Sequence, residues 1–179
     1  MYIKNLLKSI KQLDRKKINL LESLVIATHK KNGNIFICGN GGSGANANHI
    51  SNDLMLGFTS KKKGFKFLSL NSNNSVITCI ANDLGYEKIF SHQLKILGKT
   101  EDLLVVLSGS GNSENIINAI KVAKKMKIKT FGILGFNGGI SKKICDFYHH
   151  TNVNDMQACE DVQMIIFNFI MRKIKFDQI

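Results

Sequence analysis

The chain has 179 residues, a length typical of one domain, and we predict a single domain over 1–179. Hydrophobic residues make up 44% and charged residues 21%, which excludes a disordered chain. The formal charge of +12 favours anionic partners, but the lysines are dispersed and no nucleic-acid-binding module accompanies them. No apolar run reaches the ~20 residues of a membrane span, and the first residues lack a secretory-signal pattern. We therefore expect a cytoplasmic protein with neither nucleic-acid nor membrane partners.

The first part of the chain predicts one long helix followed by a strand. Apolar residues recur at helical spacing from about residue 3 to residue 31. We expect this N-terminal helix, over 1–31, to form an interface between subunits. After a turn signal at 32–34, the glycine-bounded apolar run 35–38 predicts a buried parallel strand.

The rest of the chain alternates between short apolar runs and helical patterns. Further strands are predicted at 65–70, 103–107, 130–134 and 147–150, and helices up to about 56, at 76–80, up to about 126, after 138–139 and over 155–175. This alternation indicates an α/β fold with a doubly wound, flavodoxin-like sheet of five parallel strands and helices on both faces. In such sheets ligands bind at the carboxyl ends of the strands, near the point where the strand order reverses.

A glycine-rich segment at residues 39–44, called the first loop below, joins the first strand to the next helix. Glycine lets the backbone approach a ligand closely, and the start of a helix supplies unpaired N–H groups. No Gly-Lys-Ser/Thr follows, and no acidic residue ends the next strand, which excludes the Walker and dinucleotide motifs. A phosphate site and a tight turn both explain this segment. The phosphate-site candidates are Asn40, Gly41, Gly42 and Ser43.

A second polar segment, residues 108–113, lies between the third strand and its helix and is called the second loop. It carries three hydroxyls, on Ser108, Ser110 and Ser113, around flexible glycines that include Gly109. Capping the helix needs only one of these serines. Three hydroxyls with several helix-start amides predict a phosphate site that uses no charged side chain.

His49 and Asp53 are four residues apart on the helix that follows the first loop. This spacing places both side chains on one face of the helix. The pair suits proton transfer or two ligands of one zinc ion, and a surface hydrogen bond is the simpler alternative.

Three motifs together resemble the sugar isomerase (SIS) domain family. They are Cys38-Gly39-Asn40-Gly41-Gly42-Ser43, Ala81-Asn82-Asp83-Leu84-Gly85-Tyr86 and Ser108-Gly109-Ser110-Gly111-Asn112-Ser113. Within that family they are similar to the phosphoheptose isomerases, which convert sedoheptulose 7-phosphate into glycero-manno-heptose 7-phosphate. The resemblance implies a homotetramer, a phosphate held by serines of the second loop, and an active-site divalent metal, usually zinc.

The resemblance also assigns candidate roles to single residues. It matches Asp53 with a catalytic glutamate, His49 with a histidine on the same helix, and Asp83 with a polar residue near the substrate. In the last helix it matches Glu160 with a glutamine and Asn168 with a catalytic histidine. We therefore predict Asp53 and Glu160 as catalytic residues, with His49, Asp53 and Glu160 as zinc ligands.

Several positions depart from the family pattern. Asn168 cannot act as a general acid or base, Gly109 replaces a threonine, and Gly57 or Phe58 replaces an arginine. Three hypotheses follow. The chain is a phosphoheptose isomerase that serves surface-glycan synthesis, an isomerase of another sugar phosphate, or a sugar-phosphate-binding subunit without activity.

Overall fold

The computed structural model describes residues 1–56 and 64–176. Within these ranges the strands are β1 (Ile35–Gly39), β2 (Phe67–Ser69), β3 (Leu103–Ser108), β4 (Lys129–Leu134) and β5 (Phe147–His150). The helices are α1 (Tyr2–Lys11), α2 (Arg15–Lys30), α3 (Gly42–Leu56), α4 (Asn74–Asp83), α5 (Ile89–Leu97), α6 (Glu114–Lys125), α7 (Gly139–Ile144) and α8 (Met156–Phe176). No helix in the described ranges is long and apolar enough to cross a membrane.

The five strands form one parallel sheet in the order β2-β1-β3-β4-β5. Alternating residues of each strand face opposite sides: Ile35 and Ile37 pack beneath α2, α3 and α8, whereas Phe36 and Cys38 pack beneath α4, α5 and α6. The predicted α/β fold with a flavodoxin-like, doubly wound sheet is confirmed. The strand order reverses between β1 and β3, so both glycine-rich loops lie at the expected binding edge.

The N-terminal segment differs from the single helix that its apolar spacing predicts. It forms two helices, α1 and α2, because Asp14 caps the second one: its carboxylate accepts hydrogen bonds from the backbone N–H groups of Lys16 (2.9 Å) and Lys17 (3.3 Å). The backbone N–H of Asp14 donates to Nε2 of His149 on β5, at 3.1 Å. Apolar periodicity continues through such a break and therefore does not show it.

The segment between α4 and β3 contains structure that the sequence reading left out. A short 3-10 turn, Tyr86–Lys88, leads directly into α5, whose buried residues Ile89, Phe90 and Leu94 belong to the core. This turn brings Tyr86 to the edge of the sheet at which the first loop lies.

Candidate functional site

The second loop is folded by its own serines. Ser108 Oγ accepts the backbone N–H of Gly111 at 3.0 Å, and Ser110 Oγ accepts that of Asn112 at 3.2 Å. Ser113 is the N-cap residue of α6, yet its side chain makes no capping hydrogen bond. Two of the three predicted hydroxyls therefore shape the loop, and the third, on Ser113, bonds to no side chain or backbone group in the described ranges and is available to a ligand.

The glycines of the second loop allow close contact with the neighbouring β4–α7 connection. Gly111 has a φ of +66°, and a Cβ added there would overlap the carbonyl oxygen of Gly138. Ser141 N–H donates to the carbonyl of Gly111, and Ile140 N–H donates to Oδ1 of Asn112, both at 2.9 Å. The second loop is therefore stabilised by hydrogen bonds from the start of α7 as well as by those of its own serines.

Gly109 stands where the resemblance places a threonine, and the side chain of Met156 lies against it. A Cβ at this position would overlap the sulfur of Met156 and lie 3.2 Å from the ring of Phe136. Met156, the first residue of α8, thus occupies the space that a larger residue at 109 would need.

The first loop is anchored to α8 instead of being open. Its last residues, Gly42–Gly44, already belong to the first turn of α3. Ser43 Oγ accepts a hydrogen bond from Nε2 of Gln163 at 2.9 Å, and both side chains are buried. Asn46 Nδ2 donates to Oε1 of Gln163 and to the backbone carbonyl of Glu160, both at 3.0 Å. The Ser43 hydroxyl therefore joins two helices within the fold.

Glu160 lies at the amino end of α3. Its carboxylate occupies the space that a Cβ on Gly42 would fill. A negative charge at a helix N-terminus is stabilised by the helix dipole, and the same charge repels a second anion. The Glu160 carboxylate therefore disfavours phosphate binding at the start of α3.

The cavities beside the two loops differ in charge. The cavity at the first loop, about 440 Å³, is lined by Gly42 and Asn46 together with two carboxylates, those of Glu160 and Asp161. The cavity at the second loop, about 470 Å³, includes Ser110 and is lined only by uncharged residues. An anion is thus accommodated better at the second loop.

His49 and Asp53 form a pair on α3. Nε2 of His49 lies 3.2 Å from Oδ2 of Asp53, with side chains 61% and 17% exposed. His49 follows Gly42 by seven residues, or about 10 Å along the helix axis, so the pair is remote from Glu160. In the described part of the chain no three His, Cys, Asp or Glu side chains converge on a possible metal position. The structure therefore brings His49 and Asp53 together and leaves Glu160 apart from them.

The other predicted residues lie outside these contacts. Asp83 ends α4 and accepts hydrogen bonds from Asn82 Nδ2 (2.7 Å) and Cys79 Sγ (3.5 Å), so it bonds to its own helix and to neither loop. Asn168 is exposed on α8, about 12 Å along the axis from Glu160. The position at which the resemblance expects an arginine, Gly57 or Phe58, lies outside the described residues.

The sequence reading missed several side chains that hold the loops, one of which, Asn71, bonds through its amide to the backbone N–H and carbonyl of Gly39. Four others bond to loop side chains or to the helices that carry them. They are Asn46, Tyr86, Asn115 and Gln163. Tyr86 ends a motif that was already singled out, and Asn115 follows the second loop by two residues. Asn40 of the first loop bonds to both of these residues. The nearness of Tyr86 and Asn115 to these motifs in the sequence could have indicated a role for them. It could not have shown that both bond to Asn40.

Comparison with known proteins agrees with this architecture. The SIS domain family model matches residues 1–135. The chain is 33% identical to the phosphoheptose isomerase of Helicobacter pylori (strain P12) over 168 residues, which cover 94% of this chain and 85% of that protein. It is 34% identical to the phosphoheptose isomerase of Campylobacter concisus (strain 13826) over 178 residues, 96% of this chain and 94% of that protein.

The fold is also found in solved structures. The phosphoheptose isomerase GmhA of Neisseria gonorrhoeae superposes with a TM-score of 0.90 at 23% identity, covering 97% of this chain and 94% of that one. This likeness extends from the N-terminal helices to α8. With the sheet order, the two loops at its reversal point and the family match over three quarters of its length, this chain belongs to the SIS domain family.

Proposed function

We propose that the chain is a phosphoheptose isomerase, an aldose–ketose isomerase that converts sedoheptulose 7-phosphate into D-glycero-D-manno-heptose 7-phosphate. The observation that carries this proposal is its similarity to enzymes of that name over nearly the whole of both chains. By the same resemblance we propose a cytoplasmic enzyme whose product serves lipopolysaccharide or capsule synthesis.

The second loop is the proposed anchor for the phosphate. Ser113 Oγ is available there, and the first turn of α6 supplies the backbone N–H groups of Glu114 and Asn115, which have no acceptor within a helix, while that of Ile116 is bonded to Asn115 Oδ1. The positive end of the helix dipole points at the same place. Hydrogen bonds from a hydroxyl and helix-start amides to a charged phosphate are each worth about 1.5–3 kcal/mol.

The reaction moves a proton from C1 to C2 of the ketose through an enediol, while a hydroxyl proton passes from O1 to O2. It requires a group that removes the carbon-bound proton and returns it. We propose the carboxylates of Asp53 and Glu160 for this role, because Asn168 cannot exchange protons. Within the described part of one copy, Glu160 does not converge with the pair formed by Asp53 and His49.

We also propose a zinc ion in the active site. Two of its three proposed ligands lie together within one subunit, and the third does not. His49 and Asp53 offer a nitrogen and an oxygen ligand 3.2 Å apart, whereas Glu160 lies elsewhere. A divalent ion held at this pair would polarise the substrate carbonyl. Elemental analysis of the wild type and of His49→Ala, both purified without chelator, tests this. Equal metal content in the two proteins would exclude His49 as a ligand.

We also propose a homotetramer. The helix α1 contacts α8 through polar groups, among them the hydrogen bond that Tyr2 Oη donates to Oδ2 of Asp161, and Asn5 Nδ2 donates to Asp155 Oδ2, just before α8, at 2.9 Å. Its apolar residues Ile3, Leu7 and Ile10 stay exposed, which is unfavourable unless another surface covers them. Analytical ultracentrifugation of the wild type and of Leu7→Glu measures the oligomeric state, and a monomeric wild type would refute the proposal.

The function itself is tested by incubating the protein with sedoheptulose 7-phosphate, with and without zinc, and following heptose 7-phosphate by NMR. Formation of the aldose is expected. Turnover of a different ketose phosphate alone would indicate another specificity, and binding without turnover would indicate a non-catalytic subunit.

A further inference from the structure

Three polar side chains from three separate segments meet at the point where the strand order reverses. They are Asn40 in the first loop, Tyr86 in the turn after α4, and Asn115 in the first turn of α6. Asn40 Nδ2 donates to Oδ1 of Asn115 at 2.9 Å, and Asn115 Nδ2 donates to Oδ1 of Asn40 at 2.8 Å. Tyr86 Oη donates to Oδ1 of Asn40 at 3.1 Å.

The orientation of the Asn115 amide is fixed from its own backbone. Its Oδ1 also accepts the N–H of Ile116, at 2.9 Å, so the oxygen of this amide must face Ile116. With Asn40 Nδ2 as the second donor, both lone pairs of that oxygen are in use. Asn115 is 2% exposed, so this arrangement has no competition from solvent.

The fixed amide of Asn115 in turn determines how Asn40 is oriented. Oδ1 of Asn40 accepts two hydrogen bonds, from Asn115 and from Tyr86, and its acceptor capacity is complete. Its Nδ2 donates one hydrogen to Asn115 and retains one. Asn40 therefore has one side-chain N–H that can still donate a hydrogen bond. The next residue is Gly41, where an added Cβ would meet no atom within 4 Å, so there is open space beside Asn40.

We propose that Asn115 and Tyr86 are positioning residues that hold the Asn40 amide as a hydrogen-bond donor to an oxygen of the bound sugar phosphate. This inference rests on the proposed function, because it takes a sugar phosphate as the ligand. A donor that is already oriented loses little freedom on binding, so its loss weakens binding of the ground state and the transition state alike. KM should therefore rise while kcat stays nearly unchanged.

The arrangement of the free protein is tested first, by the side-chain amide resonances of Asn40, which the Asn40→Ala spectrum assigns. Tyr86→Phe removes one exposed hydroxyl and should shift these resonances. The matched control is Tyr148→Phe on β5, whose hydroxyl makes no hydrogen bond within the described residues, and it should leave them in place. Asn40 resonances that do not move in Tyr86→Phe would overturn the proposal.

Substrate binding is tested next, with sedoheptulose 7-phosphate. We expect Kd and KM to rise about threefold in Tyr86→Phe and about tenfold in Asn115→Ala, with kcat within twofold of the wild type. Asn115→Asp is the second variant should Asn115→Ala not fold, since it keeps both accepted bonds and replaces the donor to Asn40 Oδ1 with a carboxylate oxygen that repels it. An unchanged KM, or a fall in kcat alone, contradicts positioning.

The Asn40→Ala background separates positioning from direct contact. If Tyr86 acts through Asn40, Tyr86→Phe has no further effect once Asn40 is alanine. The same threefold loss in that background would show that Tyr86 binds the substrate itself, which overturns the proposal. A wild type that neither binds nor converts sedoheptulose 7-phosphate refutes the proposed function and the proposed ligand, whereas the amide spectra decide separately whether Tyr86 orients Asn40.

Discussion

The first and second loops have similar sequences and different surroundings. Both follow a buried strand, both are rich in glycine and serine, and both lead into a helix at the same edge of the sheet. In the first loop the serine hydroxyl is buried against Gln163 of α8, and the glycine at the start of the helix accommodates Glu160. In the second loop the side chain of Ser113, at the start of the helix, makes no capping hydrogen bond. Composition therefore does not distinguish a serine that joins two helices from a serine that is available to a ligand.

The glycines of the two loops differ in the same way. Gly41 and Gly111 both have positive φ values, +55° and +66°. A Cβ at Gly41 would extend into open space, whereas one at Gly111 would overlap the backbone of Gly138. The first position requires only the left-handed backbone, and the second requires, in addition, the absence of a side chain.

The largest expected effect is a difference in the free energy of unfolding between alanine variants of these two glycines. Gly111→Ala combines backbone strain with a steric clash against Gly138, and we expect it to lower the free energy of unfolding by about 3–5 kcal/mol. Gly41→Ala adds strain alone and should cost about 1 kcal/mol. Urea unfolding of the two variants measures the difference, and equal losses would show that the contact between the second loop and Gly138 does not restrict position 111.

We expect the protein to lose stability at acidic pH because of His149 on β5, which lies outside both loops. This loss is a reference against which variants of the two loops can be compared. Burial lowers the pKa of His149 from 6.5 to about 4, with Lys17 and His150 acting in the same direction and Asp14 opposing them. The unfolded chain therefore takes up the proton first, so the contribution is complete above pH 6.5 and is lost as the pH falls towards 4. We expect a loss of about 2 kcal/mol between pH 7 and pH 5.

The measurement is urea unfolding at several pH values for the wild type, for His149→Gln and for variants of either loop. The loop variants should keep the wild-type dependence on pH, and His149→Gln should lose this part of it. A His149→Gln protein with the full wild-type dependence would show that other groups cause the acid effect.

Ser43→Ala tests the structural role of the first loop. It leaves Nε2 of Gln163 buried without its acceptor, and an unpaired buried donor costs about 1–2 kcal/mol of stability. Gln163→Leu in the same background removes the orphaned amide and should recover part of the loss. A fully stable Ser43→Ala protein with weakened substrate binding would instead indicate that Ser43 contacts the ligand.

The sequence was sufficient for the sheet because each strand is a short apolar run bounded by turn residues. All five predicted strands are present, and β5 has the predicted bounds, 147–150. The break at Asp14 was missed, because apolar spacing continues across a capping residue and the capping bonds themselves leave no periodic pattern. The helix α5 was missed because it has only nine residues and follows Lys88, which provides no side-chain cap, so it lacks the usual start signal of a helix. Periodicity reports which face of a segment is buried, and it says little about where a helix is interrupted.

The site was less accessible to sequence reasoning, because its geometry depends on partners that are distant in the chain. Ser43 and Gln163 are 120 residues apart, and Asn40 and Asn115 are 75 residues apart. Motifs located both loops correctly but assigned the same role to their serines. Only the packing of α8 on α3 shows that the Ser43 hydroxyl is used inside the fold.

Ser113→Ala is the smallest change and the most direct test of the second loop. The Ser113 side chain makes no capping hydrogen bond and bonds to none of the residues that the structure describes, so the free energy of unfolding should change by less than about 0.5 kcal/mol. Substrate affinity should fall about tenfold, or about 1.4 kcal/mol, because a hydrogen bond to the charged phosphate is lost. Ser43→Ala is the matched control, with the opposite pattern of reduced stability and nearly unchanged affinity. Calorimetric titration with sedoheptulose 7-phosphate, alongside urea unfolding, measures both quantities for both variants. If Ser113→Ala binds as tightly as the wild type, the phosphate is held elsewhere, and the contrast between the two loops loses its functional meaning.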